Sequence, residues 1–266
     1  MVKVTSAIFC LSLVIIVLLL YVFQRRLIYF PDQYTPHLQD YHATDMTIET
    51  LQTKDHLDLM SWYKPATHNL PTLLFLHGNA GHIGYRMPLV RQFLKAGFGV
   101  FLLEYRGYGG NKGSPTEQGL YEDGQTALKF LYQKGINPQK IILYGESLGT
   151  GIATKLAAEN PIGCVILQSP FTSLVNLSRF HYPWIIIKPW DQFNSLERMK
   201  HIHAPLLILH GKLDQIVPFT EGLALFNEAN TPKEMIEFDQ QNHNDLWDAH
   251  DFYEKVIHFL QKYCTG

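Results

Sequence analysis

The stretch 142–151, ILYGESLGTG, carries a single serine, Ser147, with Gly145 and Gly149 two residues to either side. An apolar run leads into it, and a helical pattern, LGTGIATKLAAEN over 148–160, follows. A strand that enters a helix through so short a turn strains the central residue and presses the turn against its neighbours. Glycine at the flanking positions removes the side chains that would collide there. The turn lifts the serine hydroxyl above the strand ends, at the start of a helix. The free amide of Leu148 would there face any negative oxygen formed beside the serine. A G-x-S-x-G pattern alone can arise by chance; the strand before it and the helix after it give it meaning.

Outward from this turn, the chain alternates two kinds of segment. TLLFLH (72–77), FGVFLLEY (98–105), KIILYG (140–145), GCVILQ (163–168) and PLLILHG (205–211) are short continuous apolar runs bounded by glycine, proline or polar residues. Such runs read as strands buried on both faces, hence as a parallel sheet. MTIETL (46–51) and LDLMSWY (57–63) alternate apolar and polar residues, as half-buried strands do. Helix-period stretches lie between them at 115–134 and 148–160, and 244–263 reads as the last helix. The expectation is an α/β domain, doubly wound, with a mostly parallel sheet and helices on both faces. Residues 170–200 break the alternation with an aromatic, proline-bearing segment. It reads as a lid-like insertion at the carboxyl end of a strand, either lining a pocket or packing on the core.

A serine hydroxyl becomes a nucleophile when a base takes its proton and an acid orients the base. In a domain of this kind the chain order is serine, acid, histidine. Asp214, in LLILHGKLDQIVP, follows a buried strand and a glycine turn, which sets a carboxylate at the edge where Ser147 stands. Asp191 lies in the insertion, Asp239 comes late, and Asp245 is placed to cap the last helix. Of 13 histidines, His243 follows the last strand-like run, EMIEFD (234–239), on the loop before the final helix. His201, His203 and His210 precede Asp214, while His250 and His258 fall within the helical pattern. The expected catalytic residues are therefore Ser147, Asp214 and His243. The loop after the first buried strand, HGNAGHIGYR (77–86), should supply the second oxyanion donor beside Leu148. The amide of Asn79 is assigned to it, with that of Ala80 the near alternative, and His77 is expected to brace the loop.

Composition bounds the rest. The 266 residues are 46% hydrophobic and 17% charged, with a formal charge of −2, so neither charge nor composition points to nucleic acid as a partner. No G-x-x-x-x-G-K-[ST] loop is present, and GYGGNKG (107–113) does not fit a dinucleotide fingerprint. Cys10, Cys164 and Cys264, odd in number and widely spaced, suggest neither a disulfide framework nor a zinc site. No metal or organic cofactor is called for. Residues 4–23 are 20 positions without a charge, and as a helix they would span roughly 30 Å, the thickness of a bilayer core. The run ends in the bulky, basic LYVFQRRLIYF, unlike a cleavage site. Residues 1–26 are expected to form one N-terminal transmembrane helix and anchor, followed by the domain at 27–266. Tyr29, Phe30 and Tyr34 are expected at the membrane interface, and Arg25 and Arg26 lean the domain toward the cytoplasmic side.

Taken together, FLHGNAGHIGYR, YRGYGGNKGSPTEQGLYED, YGESLGTGIA, SPFTSL, GKLDQIVP and NHNDLW resemble the serine α/β-hydrolase superfamily. Within it, the resemblance is to a branch of membrane-tethered α/β-hydrolase-domain proteins, some of which are depalmitoylases. It runs over residues 25–262 and implies an α/β-hydrolase fold with nucleophile, acid and base at Ser147, Asp214 and His243. Two positions depart from that branch. Asn242 stands where glycine is usual, which bears on how His243 is held. Asn111 stands where serine is frequent, a change expected to affect only a surface loop. The expected activity is hydrolysis of a carboxylic ester or acyl thioester, the substrate being favoured as lipid-linked by the anchor and the aromatic insertion. The alternatives are a serine peptidase or amidase, since the same triad cleaves both bond types, and a non-catalytic hydrolase-fold scaffold.

Overall fold

The structure, a computed structural model, describes residues 11–12, 15–184 and 187–265. Eight strands build one sheet: β1 (Thr47–Gln52), β2 (Asp58–Lys64), β3 (Thr72–Leu76), β4 (Gly99–Leu103), β5 (Ile141–Glu146), β6 (Cys164–Gln168), β7 (Leu206–Gly211) and β8 (Lys233–Phe238). Their order across the sheet is β1-β2-β4-β3-β5-β6-β7-β8. The β1–β2 and β2–β4 pairs are antiparallel and all later pairs are parallel. The five runs read as doubly buried strands are β3 to β7, and each is covered on both faces.

Alternate residues of these strands feed two cores. Leu74, Leu76, Leu143, Val165, Leu167 and Ile208 face one side, against α2 (Glu117–Gln133), α3 (Leu148–Glu159) and α5 (Phe219–Glu228). Leu73, Phe75, Ile142, Tyr144, Ile166 and Leu209 face the other, against α1 (Met87–Lys95) and α6 (Phe252–Tyr263). Helix α4 (Leu174–His181) and a short helix at Ser195–Arg198 belong to the segment between β6 and β7. Parallel strands need a crossover of a dozen or more residues, and helices on alternate faces supply it. Every parallel strand therefore ends at the same edge, and the loops that leave that edge converge.

Four expectations change here. The final helix begins at Phe252, with only a 3-10 turn at Leu246–Asp248 before it, so its pattern from 244 onward overstates its length. Tyr29 is buried, not interfacial, and its hydroxyl donates to Asp191 at 3.0 Å. Asn111 is buried as well. It bridges β2 and the end of β4 by accepting from the Met60 amide at 2.9 Å and donating to the carbonyls of Met60 and Glu104 at 3.2 and 3.1 Å, so it is no surface position. Cys164 of β6 and Cys264 after α6, 100 residues apart, form a disulfide with Cα atoms 6.0 Å apart. The sheet and its last helix bring them together, which wide spacing along the chain does not foretell. A bridge closing so long a loop restricts the unfolded chain, so reduction should lower stability by about 2–4 kcal/mol. Urea denaturation with and without reductant checks this; superimposable curves would contradict it.

Of the expected membrane helix, residues 1–10 and 13–14 lie outside the described residues. Residues 15–22 are helical, and the apolar side chains from Ile15 to Phe23 are exposed. Among the described residues no helix is long and apolar enough to cross a membrane.

Candidate active site

Ser147 occupies the single residue between β5 and α3, with φ 50° and ψ −113°, a backbone conformation that side-chain-bearing residues rarely adopt. The strain is held from both sides. The Ser147 amide donates to the Gln168 carbonyl of β6 at 2.9 Å, and a Cβ at Gly149 would lie 1.9 Å from the Leu76 carbonyl oxygen of β3. A Cβ at Gly145 would lie 2.7 Å from the Gly149 carbonyl oxygen. The flanking glycines are thus demanded by backbone contact, as expected from the opening motif.

The structure brings the three expected side chains together. His243 Nε2 lies 2.9 Å from Ser147 Oγ, and His243 Nδ1 lies 2.7 Å from Asp214 Oδ2. Asp214 Oδ1 accepts from the amides of Ile216 and Val217 at 2.9 and 2.8 Å, which fixes the carboxylate on its loop after β7. Burial alone would raise this carboxyl; hydrogen bonding from His210 and His243 and from the Val217 amide outweighs it and holds the group well below the usual carboxylate range. An ionised Asp214 only accepts, so Nδ1 of His243 carries the proton, and in the neutral ring Nε2 is left to accept from the serine hydroxyl.

Asn242 does more than replace a glycine. Its side-chain oxygen accepts from the His243 amide at 2.8 Å and the Gln215 amide at 3.3 Å, tying the histidine loop to the acid loop. Asp245, expected to cap the last helix, instead accepts from the Asn242 amide at 2.6 Å. The other aspartates lie elsewhere: Asp191 is paired with Arg25, and Asp239 with Lys212. His210 packs behind the acid, its Nε2 2.9 Å from the Val217 carbonyl and 3.5 Å from Asp214 Oδ2.

The loop after β3 lies against the serine turn: a Cβ at Gly78 would sit 3.6 Å from that of Ser147. The Asn79 side chain donates to the Ile28 carbonyl at 2.9 Å, and its own carbonyl accepts from the Phe30 amide and the Tyr108 hydroxyl at 2.9 and 2.8 Å. Among the described residues neither the Asn79 nor the Leu148 amide donates to a protein acceptor. Both remain available to an oxygen formed beside Ser147. His77 braces the loop as expected, with Nδ1 2.8 Å from the Gly78 carbonyl and Nε2 3.1 Å from Glu104. The short parallel ladder of Phe30–Pro31 with Ala80–Gly81 adds a second brace, from the segment that follows the N-terminal helix.

Arg86 and Glu146 are the site residues that the sequence reading missed, although both lie inside quoted motifs. Arg86 Nε and Nη2 grip Glu146, the residue before the serine, at 3.0 and 2.9 Å, and Nη1 donates to the Ala80 carbonyl at 3.0 Å. One buried guanidinium thereby joins the serine turn to the loop of Asn79. Burial would push the Glu146 carboxyl up; the charge and hydrogen bonds of Arg86 outweigh it and lower it. Arg86→Lys keeps the charge but loses the planar fork. It should cut kcat about tenfold with little change in KM and cost about 1–2 kcal/mol of stability. Ester kinetics and urea melts read the two effects, and an unchanged kcat would deny the link. Beside the imidazole, Tyr85, Arg86, Glu146, Gln168, His243, Asn244 and Trp247 line a pocket of about 160 Å³. Among the described residues no cluster of His, Cys, Asp and Glu is placed to hold a metal.

This geometry can be set beside known proteins. A family profile described as alpha/beta hydrolase fold matches residues 71–191. An uncharacterized protein of Mycobacterium tuberculosis is 37% identical over 245 residues, covering 89% of this chain and 87% of that one. The chain belongs to the α/β-hydrolase superfamily, in its α/β-hydrolase-domain branch. This hydrolase is also 34% identical over 231 residues to the lysophosphatidylserine lipase ABHD12 of Rattus norvegicus, covering 77% of this chain and 56% of the lipase. The Pyrococcus furiosus esterase Pf2001 superposes with a TM-score of 0.73 at 20% identity, over 89% of this α/β-hydrolase and 98% of the esterase, which shows the shared fold.

Proposed function

We propose that this α/β-hydrolase is a membrane-anchored serine hydrolase that cleaves a carboxylic ester or acyl thioester through an acyl-enzyme. The observation that carries the reading is the unbroken chain Ser147 Oγ–His243 Nε2 at 2.9 Å and His243 Nδ1–Asp214 at 2.7 Å, at the head of a strained turn. As Ser147 Oγ bonds to the substrate carbonyl carbon, its proton passes to His243 Nε2, and Asp214 stabilises the imidazolium. The amides of Leu148 and Asn79 hold the oxyanion, each worth about 3 kcal/mol of barrier. The intermediate collapses, His243 protonates the departing alcohol or thiol, and the acyl group stays on Ser147. Water then attacks, with His243 taking its proton; as the bond to Ser147 breaks, His243 returns that proton to Ser147 Oγ and the carboxylic acid leaves.

A lipid-linked substrate is supported by the apolar residues 4–23, by the exposed aromatics of the insertion, and by the lipase among the relatives. The small polar pocket beside His243 suits the leaving group that this histidine protonates. The Cys164–Cys264 bridge belongs with an oxidising compartment. It therefore favours the domain on the side opposite to the one toward which two arginines lean. Protease added to intact cells should remove the domain, and protection would reverse this orientation.

Purified full-length chain in detergent should take up one equivalent of a fluorophosphonate at Ser147 and turn over p-nitrophenyl esters and acyl thioesters. A series of acyl-chain lengths reads the acyl preference. Turnover of anilides at rates equal to esters would move the reading to an amidase, and an unlabelled chain would make it a scaffold.

A further inference from the structure

Residues 174–190, LVNLSRFHYPWIIIKPW, hold Arg179 and Lys188 and no acidic residue. Phe180, Tyr182 and Trp184 stand out from this insertion, with Trp184 73% exposed. Tyr182 and Trp184 rings are 6.0 Å apart, so they form one ridge. His181, between Phe180 and Tyr182 in sequence, lies with Nε2 2.8 Å from the Ile216 carbonyl on the loop of Asp214. That loop adds two more exposed apolar side chains, Leu213 and Ile216. An aromatic and aliphatic lip thus joins the insertion to the loop that carries the catalytic acid.

The far end of the insertion is clasped to the N-terminal helix. Asp191, 3% exposed, accepts from Arg25 Nε and Nη2 at 2.9 and 3.2 Å and from the Tyr29 hydroxyl at 3.0 Å. The Trp190 amide donates to the Gln24 side chain at 2.7 Å, and its ring meets Tyr21 edge-on at 5.3 Å. The Arg25 guanidinium lies 5.3 Å from the Trp190 ring centroid. A helix whose apolar side chains point outward therefore ends against the same segment that carries the lip. Asp191, at this end of the insertion, is paired with Arg25.

We propose that the lip of Phe180, Tyr182 and Trp184, with Leu213 and Ile216, docks on the headgroup layer of the bilayer that the N-terminal helix enters. The proposal rests on the anchor reading above. Three observations select a lipid surface over a protein partner. The segment that carries the lip is held, at Trp190 and Asp191, to the end of an apolar stretch long enough to span a bilayer. Its exposed side chains are aromatic and aliphatic, the kind that settle at a membrane interface. Its charges are basic, which suits phosphate-bearing headgroups. Docked in this way, the acid loop and the triad face the lipid, and an acyl chain can enter the site without crossing water.

The test uses the full chain in phosphatidylcholine vesicles in which a share of the lipid carries brominated acyl chains, which quench tryptophan. Trp190 reports on the base of the anchor and Trp184 on the lip, Trp62 is buried in the core, and Trp247, which lines the pocket beside His243, is replaced by phenylalanine in every chain compared. Trp190→Phe should remain quenched by bromolipid, and quenching should be lost in the Trp184→Phe, Trp190→Phe double variant. Equal residual quenching in the single and double variants leaves the lip in water and overturns the docking while sparing the anchor. Absence of quenching in the parent chain overturns both. None of these readings needs the chain to be a hydrolase. In a second arm, Trp184→Asp should lower turnover of a long-chain ester presented in vesicles about tenfold and leave a soluble acetate ester unaffected. Equal turnover of the vesicle-borne ester would also overturn the docking.

Discussion

Replacement of Ser147 by alanine is expected to lower kcat/KM for a p-nitrophenyl ester by about 10⁴- to 10⁶-fold and to abolish fluorophosphonate labelling. The fold should be unaffected. The substitution removes one oxygen whose hydrogen bond is to His243 and leaves intact the backbone bond from residue 147 to Gln168 that secures the turn. Thermal unfolding should shift by no more than about 2 °C. Residual activity above the uncatalysed rate would come from the amides of Leu148 and Asn79, which need no serine to stabilise an oxyanion. The paired readout matters: lost activity in a stably folded variant places the chemistry at Ser147, whereas turnover near the parent level would move the nucleophile elsewhere.

Gly149→Ala should have the opposite signature, a loss of fold before any question of catalysis. The new methyl would meet the Leu76 carbonyl oxygen at 1.9 Å, the Leu76 carbonyl carbon at 2.6 Å and the His77 carbonyl oxygen at 2.8 Å. These are backbone atoms at the end of β3, a strand hydrogen-bonded on both sides, to β4 and β5. No side-chain rotation relieves the overlap, so helix and sheet must separate. The expected cost exceeds about 4 kcal/mol, beyond ordinary overpacking. Soluble yield and the urea midpoint measure it. A variant as stable as the parent would mean that α3 can slide along the sheet, and the rigid turn described above would be wrong.

Arg86→Lys lies between these two. It leaves Ser147 itself in place and acts on the last residue of β5, Glu146, and on the Ala80 carbonyl. It loosens the join between the serine turn and the loop of Asn79, so a fall in kcat at constant KM separates misplaced oxyanion donors from weakened substrate binding.

How much of this was legible in the linear chain follows from the range over which each signal acts. Burial on both faces writes itself into consecutive apolar residues, so β3 to β7 could be read directly, as could the strand-to-helix turn at Ser147. Because parallel strands all end at one edge, a position just after a strand, taken with chain order, points to Asp214 and His243 at that edge, and the structure brings their side chains to Ser147. The start of the final helix was misread because the Leu246–Asp248 turn continues the apolar period without continuing the helix.

What only the tertiary structure decided are the pairings between distant segments. Arg86 and Glu146 meet because β3 and β5 are neighbours in the sheet. Cys164 and Cys264 meet because the last helix returns over β6, and Asp191 meets Arg25 and Tyr29 because the insertion folds back to the start of the chain. Asn111 looked like a loop residue until its side chain was seen spanning two strands. Each of these contacts depends on a through-space distance set by sheet order. A local pattern of apolar and polar residues carries information about faces and turns, and none about which distant side chain will stand opposite.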